Sequence, residues 1–340
     1  MIQEVIKKLV DGVSLSEAEA ASVTGEIMEG LATPAQIAAF LVALRLKGET
    51  AEEITGMAMT MRDKADRVEL DAHPLVDTCG TGGDCSNTFN ISTVSAFITA
   101  GAGILVAKHG NRSVSSSCGS ADVLKAAGVD IELSVDAAKI VFKKAGIVFL
   151  FAPLFHKAMK HAIGPRKEIG IRTVFNILGP LANPAGADVQ VIGVYDAKLT
   201  EKVARVLANL GCRRAAVVHG SGLDEITTTG STSVSEVENS TVRNYVIEPE
   251  LFGIKRVNPE ALKGGGPEEN AVIMRAVLSG EKGPKRDIAA LNAAMAIYLA
   301  GAANSLSAGL AAAYRSIDSG AALAKLEELK KASMNKQGAA

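Results

Sequence analysis

The segment 77–84, Asp-Thr-Cys-Gly-Thr-Gly-Gly-Asp, carries the residues best suited to chemistry. Its three glycines within four positions let a backbone turn tightly and approach a ligand without interference from a Cβ atom. The segment follows the apolar residues 74–76 and leads to a predicted helix start at Asn90. Such a turn directs N–H groups and the positive end of a helix dipole at an anion. The pattern predicts a site for a phosphorylated small molecule; the alternative is a structural turn with Asn90 or Ser92 as helix cap.

A second polar segment, residues 108–117, directly follows a predicted strand and contains Lys108, Arg112 and a run of serines. Lysine and arginine neutralise phosphates, and serines add hydroxyl and backbone donors. Residues 119–122 then begin a predicted helix, so this segment also ends at a helix N-terminus. A solvated basic loop is the alternative. We expect the loop over 108–116 to be mobile, because its serines and Gly110 make few packing contacts.

Two further groups of charged residues fall where predicted strands end. Arg166, in the polar segment 155–166, could grip a carboxylate with both of its terminal nitrogens, although an ordinary surface arginine is the alternative. The adjacent carboxylates Asp224 and Glu225 suit magnesium, a hard cation that prefers oxygen ligands. The alternative for this pair is an exposed acidic loop. The residues alone therefore indicate a protein that binds an anion, a cation and a carboxylate.

The elements that must position these groups change character near residue 70. The first 65 residues show helical spacing of apolar residues and three capping signatures, at Ser16, Thr33 and Thr50. From residue 74 short apolar segments alternate with helical ones, which is typical of an α/β sheet. The predicted strands are 104–107, 147–150, 189–194 and 215–218, with a hairpin at 231–248; the predicted helices are 119–127, 135–145 and 199–210, with a helical tail from 268 to 332.

The composition excludes several classes of protein. The chain has 340 residues and a net charge of -1, so it lacks the basic field of a nonspecific nucleic-acid binder. No apolar run approaches the roughly 20 residues that cross a bilayer, and no signal peptide is recognised, which predicts a cytoplasmic protein without a membrane partner. The cysteines have no zinc-like spacing and are predicted to be free thiols: Cys79, Cys85, Cys118 and Cys212.

Taken together, these segments resemble the anthranilate phosphoribosyltransferase family. The matching segments occur in the family's order and spacing across essentially the whole chain: 80–84, 90–93, 108–112, 119–122, 172–181 and 223–225. The resemblance implies an α/β fold with a small all-helical N-terminal domain joined by hinges to a larger domain with a mostly parallel central sheet flanked by helices. The small, dimerising domain would comprise residues 1–70 and about 155–188, and the large domain residues 74–154 and 189–335. A homodimer is expected.

The resemblance also implies a reaction. The phosphoribosyl group of phosphoribosyl pyrophosphate would pass to the amine of anthranilate in tryptophan biosynthesis, giving N-(5-phosphoribosyl)anthranilate and pyrophosphate, with Mg²⁺ as cofactor. Magnesium would be bound by Ser92, Asp224 and Glu225, and anthranilate by Gly80, Asn111, Arg166, His156 and Pro180. The residues implied in catalysis are Lys108, His109, Asn111 and Arg166. Phosphoribosyl pyrophosphate would be held by Gly80, Gly83, Asp84, Thr88, Asn90, Ile91, Ser92, Thr93, Lys108, His109, Gly110, Asn111, Arg112, Ser113, Val114, Ser115, Ser116 and Ser120.

Two other functions and one mechanistic question stay open at this point. A nucleoside phosphorylase of the same fold would need a lysine in its phosphate loop, and none follows Asp84 here. A non-enzymatic relative that binds nucleic acid would be markedly basic, unlike this chain. The proton of the attacking amine could pass to His109, to His156 or to the carboxylate of anthranilate itself.

Overall fold

The computed structural model describes residues 1–84, 86–113 and 117–335. Within these ranges the chain forms fifteen α-helices, seven strands and three short 3₁₀ turns. The strands are β1 Leu75–Gly80, β2 Leu105–Gly110, β3 Ile147–Phe151, β4 Val189–Gly193, β5 Arg214–Gly220, β6 Thr232–Glu238 and β7 Thr241–Ile247. The helices are α1 Ile2–Val10, α2 Glu17–Met28, α3 Pro34–Lys47, α4 Ala51–Asp63, α5 Ile91–Gly101, α6 Ser120–Ala126, α7 Val135–Ala145, α8 Ala152–Phe155, α9 Lys160–Ile169, α10 Phe175–Leu181, α11 Leu199–Asn209, α12 Pro267–Leu278, α13 Pro284–Leu299, α14 Leu306–Asp318 and α15 Ala321–Met334.

The N-terminal region consists of the four helices α1–α4, as predicted. All three predicted capping boxes are formed, at Ser16, Thr33 and Thr50. In each box the hydroxyl accepts the N–H three residues later, while the Glu or Gln at that position accepts the N–H of the capping residue. Local sequence therefore sets where α2, α3 and α4 begin.

The seven strands form one sheet in the order β3-β2-β1-β4-β5-β6-β7. The first five strands are parallel, and β6 and β7 form the predicted antiparallel hairpin, whose turn residues Asn239 and Ser240 have positive φ. The direction of winding reverses between β1 and β4, because β2 and β3 extend the sheet to one side and β5 to the other. Ligands of open α/β sheets bind outside the carboxyl ends of the strands at such a reversal.

Two apolar cores lie on opposite faces of this sheet. Side chains alternate between faces along a strand, so on β5 Ala216 and Val218 join one core while Ala215 and Val217 join the other. The first core includes α5, α7, α13 and α15, and the second includes α1–α4 with α9, α10 and α11. Helices α9 and α10 thus pack with the N-terminal helices, as the predicted small domain requires. Because α11 shares that core, the domain boundary near residue 188 stays a prediction.

Two local predictions were wrong. The segment predicted as a loop from residue 108 is still strand β2 up to Gly110, and Lys108 and His109 are each only 3% exposed. The strand continues because buried partners satisfy both residues: Lys108 donates to the carbonyl of Thr78, and the His109 N–H donates to the Asp77 carboxylate at 3.1 Å.

The glycine and prolines of residues 176–184 predict a stiff, turn-rich connection, whereas most of this segment forms the short helix α10. Pro180 lies within it, but as the penultimate residue it removes only one N–H donor, so the helix tolerates it. Across the described residues, none of the helices combines the length and apolarity that a bilayer crossing needs.

Glu53 tests how far buried capping stabilises the helical region. Its carboxylate is fully buried and accepts hydrogen bonds from the N–H groups of Leu15 (2.8 Å) and Thr50 (2.8 Å) and from Lys47 (2.9 Å). We expect Glu53→Ala to lower the free energy of unfolding by about 3–5 kcal/mol, since it removes the anionic partner of the Lys47 ammonium group and the acceptor of the Leu15 and Thr50 N–H groups. Urea denaturation measures this loss.

The matched control is Glu19→Ala, which removes the same capping-box position from α2, where the carboxylate is exposed. A much smaller loss is expected there, because water replaces the missing acceptor. Equal losses for the two variants would contradict this account of Glu53.

Candidate active site

The glycine loop after β1 lies at the reversal of strand order and is held by two neighbouring elements. The Thr81 N–H donates to the carbonyl of Gly193, at the end of β4, at 2.9 Å. The next N–H, of Gly82, donates to Oδ2 of Asp224, in the segment after β5, at 2.7 Å. Gly82 and Gly83 have φ values of +66° and +79°, which side chains rarely adopt. The loop therefore has a defined path at the carboxyl ends of three adjacent strands.

Gly80 is required for a reason that the sequence does not show. A Cβ atom at this position would collide with the Asp224 carboxylate, and one at Gly193 would collide with the Asp224 backbone carbonyl. The two glycines end β1 and β4 and leave the space that Asp224 fills. Close approach of this carboxylate to the loop thus depends on two strand-end glycines.

Three carboxylates gather beside the glycine loop. The Asp224 N–H donates to Asp84 at 3.3 Å, and the Ser92 N–H donates to Glu225 at 3.0 Å. Burial and then the charge of Asp84 raise the pKa of Asp224 to about 7. Burial and then the charge of Asp224 raise the pKa of Glu225 well above its usual range. A bound cation would reverse both shifts.

The acidic residues do not form a complete metal cage. Within the described ranges, no group of three or more His, Cys, Asp and Glu side chains is arranged to hold a metal ion. Asp224, Glu225 and the hydroxyl of Ser92 nevertheless offer the hard oxygen donors that magnesium prefers. Magnesium usually takes only one or two carboxylates from the protein and completes its shell with phosphates and waters. The donor set therefore fits a magnesium ion carried with a diphosphate.

Sequence reasoning missed the residue that positions the acidic pair. Asn292 on α13 is 3% exposed, and its side-chain amide binds both the N–H and the carbonyl of Ile226. The Ile226 N–H donates to Asn292 Oδ1 at 2.9 Å, and Asn292 Nδ2 donates to the Ile226 carbonyl at 2.8 Å. This amide fixes the backbone directly after Glu225. The available signal was a single amide within an otherwise apolar, Ala-rich stretch of a predicted helix.

A second missed element is the loop at 264–266, which meets the start of α5. Asn90 precedes α5 but makes no side-chain cap; it donates instead to the Cys118 carbonyl at 3.1 Å. Its own oxygen accepts Asn270 Nδ2 at 3.0 Å, and Asn270 in turn accepts the Gly265 N–H at 2.9 Å. Asn90 thus joins the segment before α6 to the segment before α12. The alternative of Asn90 as a simple helix cap was wrong.

Lys108 lies beneath the start of α5 rather than in a basic loop. Besides the Thr78 carbonyl it contacts the Ser92 hydroxyl at 3.3 Å. It also opposes the burial effect on the pKa of Asp77 and Glu225 through its positive charge. Its charge is therefore placed to balance the acidic cluster.

The segment after β2 is closed by local hydrogen bonds. Arg112 is 3.6 Å from Asp122, and the N–H groups of Ser113 and Gly119 donate to the same carboxylate at 3.2 and 3.0 Å. The Ser120 hydroxyl donates to the Asn111 carbonyl at 3.2 Å. Three predicted residues of this segment, Val114, Ser115 and Ser116, and the predicted free thiol Cys85 lie outside the described residues.

The other residues predicted to hold phosphoribosyl pyrophosphate lie around the same edge. Thr88 forms an isolated β-bridge with Lys263, and Gly110 ends β2. Ile91 and Thr93 are buried in the first turn of α5, so only their backbone could face a ligand. The N–H of Ser92 already binds Glu225, so a carboxylate occupies part of this anion-binding helix end.

His109 and His156 form a buried pair with ring centroids 5.1 Å apart. Burial lowers the pKa of His109 to about 3 and also lowers the pKa of His156. Nε2 of His109 has no hydrogen-bond partner in the described part of the chain. A neutral imidazole with so low a pKa accepts protons poorly near pH 7. His109 is therefore badly suited to act as a general base.

The guanidinium of Arg166 has no anionic partner among the described residues. Arg166 projects from α9, is half-buried, and stands over the Phe175 ring at 5.1 Å from the centroid. Burial lowers the pKa of its guanidinium. Across the described ranges its guanidinium makes neither an ion pair nor a hydrogen bond, whereas its backbone carbonyl accepts the N–H of Gly170. Pro180 lies on the neighbouring helix α10. A carboxylate ligand would supply the missing partner.

Comparisons with known proteins agree with this architecture. Residues 72–323 match the α/β domain of a glycosyl transferase family, and residues 3–65 match the helical bundle domain of the same family. An anthranilate phosphoribosyltransferase from Acetivibrio thermocellus is 57% identical over 96% of this chain and 95% of its own length.

Solved structures give the same result. The anthranilate phosphoribosyltransferase of Thermus thermophilus has 45% identity and a TM-score of 0.93, covering 97% of this chain and 99% of its own. The enzyme from Saccharomyces cerevisiae in complex with phosphoribosyl pyrophosphate and magnesium has 30% identity and a TM-score of 0.90, with 98% of each chain covered. The yeast enzyme was also solved with 4-fluoroanthranilate, at 30% identity, a TM-score of 0.88 and 98% coverage of each chain.

The helical bundle, the sheet and the glycine loop at its strand reversal define a glycosyl transferase. The sequence identity of 57% to the Acetivibrio thermocellus protein, over nearly the full length of both chains, narrows this class to one family. The chain belongs to the anthranilate phosphoribosyltransferase family. The predicted fold class, family and phosphoribosyl-transfer activity are thereby confirmed, whereas the individual site residues stay predictions.

Gly80→Ala tests the packing of Asp224 against the loop. The added Cβ forces the carboxylate away from the Gly82 N–H, so turnover should fall by about a hundredfold while the protein still folds. Steady-state turnover and the melting temperature measure the two effects. Gly25→Ala is the control, because an added Cβ there meets no atom within 4 Å. Wild-type turnover in Gly80→Ala would contradict the account.

Proposed function

We propose that the crevice at the carboxyl ends of β1, β4 and β5 carries the transfer from phosphoribosyl pyrophosphate to anthranilate. The observation that carries the proposal is the meeting of the glycine loop, the start of α5 and the acidic pair at one edge of the sheet. A glycine-rich turn and a helix N-terminus at the ends of parallel strands favour the diphosphate. The acidic pair favours a cation bound to it.

Magnesium would be held by Asp224, Glu225 and Ser92 together with oxygen atoms of the substrate. When bound, it stabilises the negative charge that develops on the departing pyrophosphate. The raised pKa values of Asp224 and Glu225 support this assignment, because both carboxylates gain stability when a cation comes near. Asn292 keeps them in place through the Ile226 backbone.

Anthranilate would bind at Arg166. The guanidinium is half-buried and lacks an anionic partner among the described residues, so the carboxylate of anthranilate would form the ion pair that the protein does not supply. His109 and His156 would line the approach as neutral rings, and Asn111 and Pro180 would complete it.

The reaction needs no nucleophilic side chain from the protein. As the bond from C1 to pyrophosphate breaks, positive charge develops on the ribose and negative charge on the diphosphate. Loop amides and Arg112 stabilise the diphosphate, while Arg166 directs the amine to C1. Direct displacement predicts inversion at C1. Since the pKa of His109 is about 3, the carboxylate of anthranilate is the better acceptor for the amine proton.

We also propose that the protein is a homodimer formed through its helical region. Large apolar side chains are exposed there, among them Val10 (71%), Leu31 (70%) and Leu46 (82%). Exposed apolar groups on one region favour association. The cytoplasmic location stays a sequence-based prediction.

The function is tested by following the loss of anthranilate fluorescence after phosphoribosyl pyrophosphate and magnesium are added, with each omitted in turn. Loss is expected only in the complete mixture. Phosphorolysis of thymidine or uridine, with no consumption of anthranilate, would instead establish a nucleoside phosphorylase.

Arg166→Ala should raise the KM for anthranilate by about ten- to a hundredfold, the value of one charge-assisted pair, and leave the KM for phosphoribosyl pyrophosphate unchanged. Steady-state kinetics with each substrate varied in turn measure the split. Arg166→Lys, which keeps the charge but loses the planar fork, should give an intermediate value. Normal saturation by anthranilate in Arg166→Ala would overturn the assignment.

A further inference from the structure

Arg172 joins the helical region to the glycine loop, and nothing above gives it a role. It lies between α9 and α10, two residues after Gly170, whose φ of +63° ends α9. Its guanidinium donates a hydrogen bond to the carbonyl oxygen of Gly83. We propose that Arg172 is a positioning residue that orients the peptide between Gly83 and Asp84 for the diphosphate. This inference rests on the proposed binding of phosphoribosyl pyrophosphate at the loop.

The geometry of the peptide between Gly83 and Asp84 determines where its N–H group points. Gly83–Asp84 is a trans peptide, so the carbonyl of Gly83 and the N–H of Asp84 point in opposite directions. Fixing the carbonyl towards Arg172 turns the N–H of Asp84 to the other side. The Asp84 N–H makes no backbone hydrogen bond to another described residue, and in this orientation it would donate to an oxygen of the diphosphate.

The glycine loop can change its backbone conformation easily. Gly82 and Gly83 have φ values of +66° and +79°, and glycine exchanges such conformations with others at little cost. The hydrogen bonds from Thr81 and Gly82 hold the first half of the turn. In the half that follows, the Asp224 N–H holds the side chain of Asp84, and the contact with Arg172 holds the backbone carbonyl of Gly83.

The side chain of Arg172 is itself held in place by an aromatic ring. Its guanidinium stands over the Tyr195 ring, 4.7 Å from the centroid. Tyr195 follows β4 by two residues, so it belongs to the strand end that also accepts the Thr81 N–H. A planar guanidinium can stack on a ring and donate sideways at the same time, which an ammonium group cannot do.

The close contact with Gly83 is specific. A Cβ atom at residue 83 would lie 3.2 Å from Nε of Arg172, so the guanidinium packs against the bare backbone. Glycine at 83 thus serves two purposes, the left-handed turn and the approach of Arg172. Since Arg172 follows Arg166 by six residues, a span of at most roughly 20 Å, one short segment would serve both substrates.

The test is steady-state kinetics of Arg172→Ala and Arg172→Lys with each substrate varied. We expect Arg172→Ala to raise the KM for phosphoribosyl pyrophosphate about tenfold, with the KM for anthranilate and the melting temperature unchanged. Arg172→Lys should restore little of this loss. Tyr195→Leu should shift the same KM in the same direction, and Tyr195→Phe, which keeps the ring, should not.

Arg243→Ala is the matched control, since Arg243 is also exposed and stands over a tyrosine ring, that of Tyr245 at 5.2 Å, but lies on the edge strand β7. It should leave both KM values unchanged. Equal rises in both KM values, or a fall in melting temperature that accounts for the loss, would overturn the positioning role of Arg172.

Gly82→Val separates this inference from the proposed function. If Gly82→Val raises the KM for phosphoribosyl pyrophosphate and Arg172→Ala does not, the inference fails and the loop assignment stands. If neither variant changes that KM, the loop assignment itself fails.

Discussion

The burial of Asp224 and Glu225 against one glycine loop is the constraint on which the site depends. Two neighbouring carboxylates withdrawn from water repel each other and lose hydration, so both pKa values rise. The protein offsets part of this cost with the N–H groups of Gly82 and Ser92 and with the charge of Lys108. In the proposed site, the remainder would favour the binding of a cation. Carboxylates with pKa values perturbed in this way are more typical of functional sites than of purely structural ones.

The scaffold meets this constraint mainly through the backbone. The reversal of strand order puts the ends of β1, β4 and β5 side by side, and glycine at the ends of β1 and β4 leaves room for Asp224. Asn292, on helix α13, holds the backbone directly after the acidic pair through hydrogen bonds to Ile226. The groups that would bind the diphosphate and its cation therefore include backbone amides and two carboxylates that are held by backbone hydrogen bonds. Such groups are arranged before substrate arrives, which is what electrostatic catalysis requires.

Prediction from sequence succeeded where the cause is local. Capping boxes, the glycine turn and the hairpin are set by residues a few positions apart, and each was formed as predicted. It failed where the partner is distant. Lys108 was predicted to be a loop residue because its acceptor at Thr78 is 30 positions away, and no role was predicted for Asn292 because Ile226 is 66 positions away. No spacing rule connects such pairs; only the fold does.

The shared core around α11 limits how the site can open and close. The apolar cluster that contains α1–α4, α9 and α10 also includes α11 and one face of the sheet, so these elements share one continuous core. Separating the helical region as a whole would expose this core, at about 25 cal/mol for each Å² of apolar surface. Small sliding between packed helices, or local movement of the connecting segments, would expose much less of this core. The segment between α9 and α10 is such a connection, and through Arg172 it already contacts the glycine loop. A movement of this segment would therefore also move the contact that Arg172 makes with the carbonyl of Gly83.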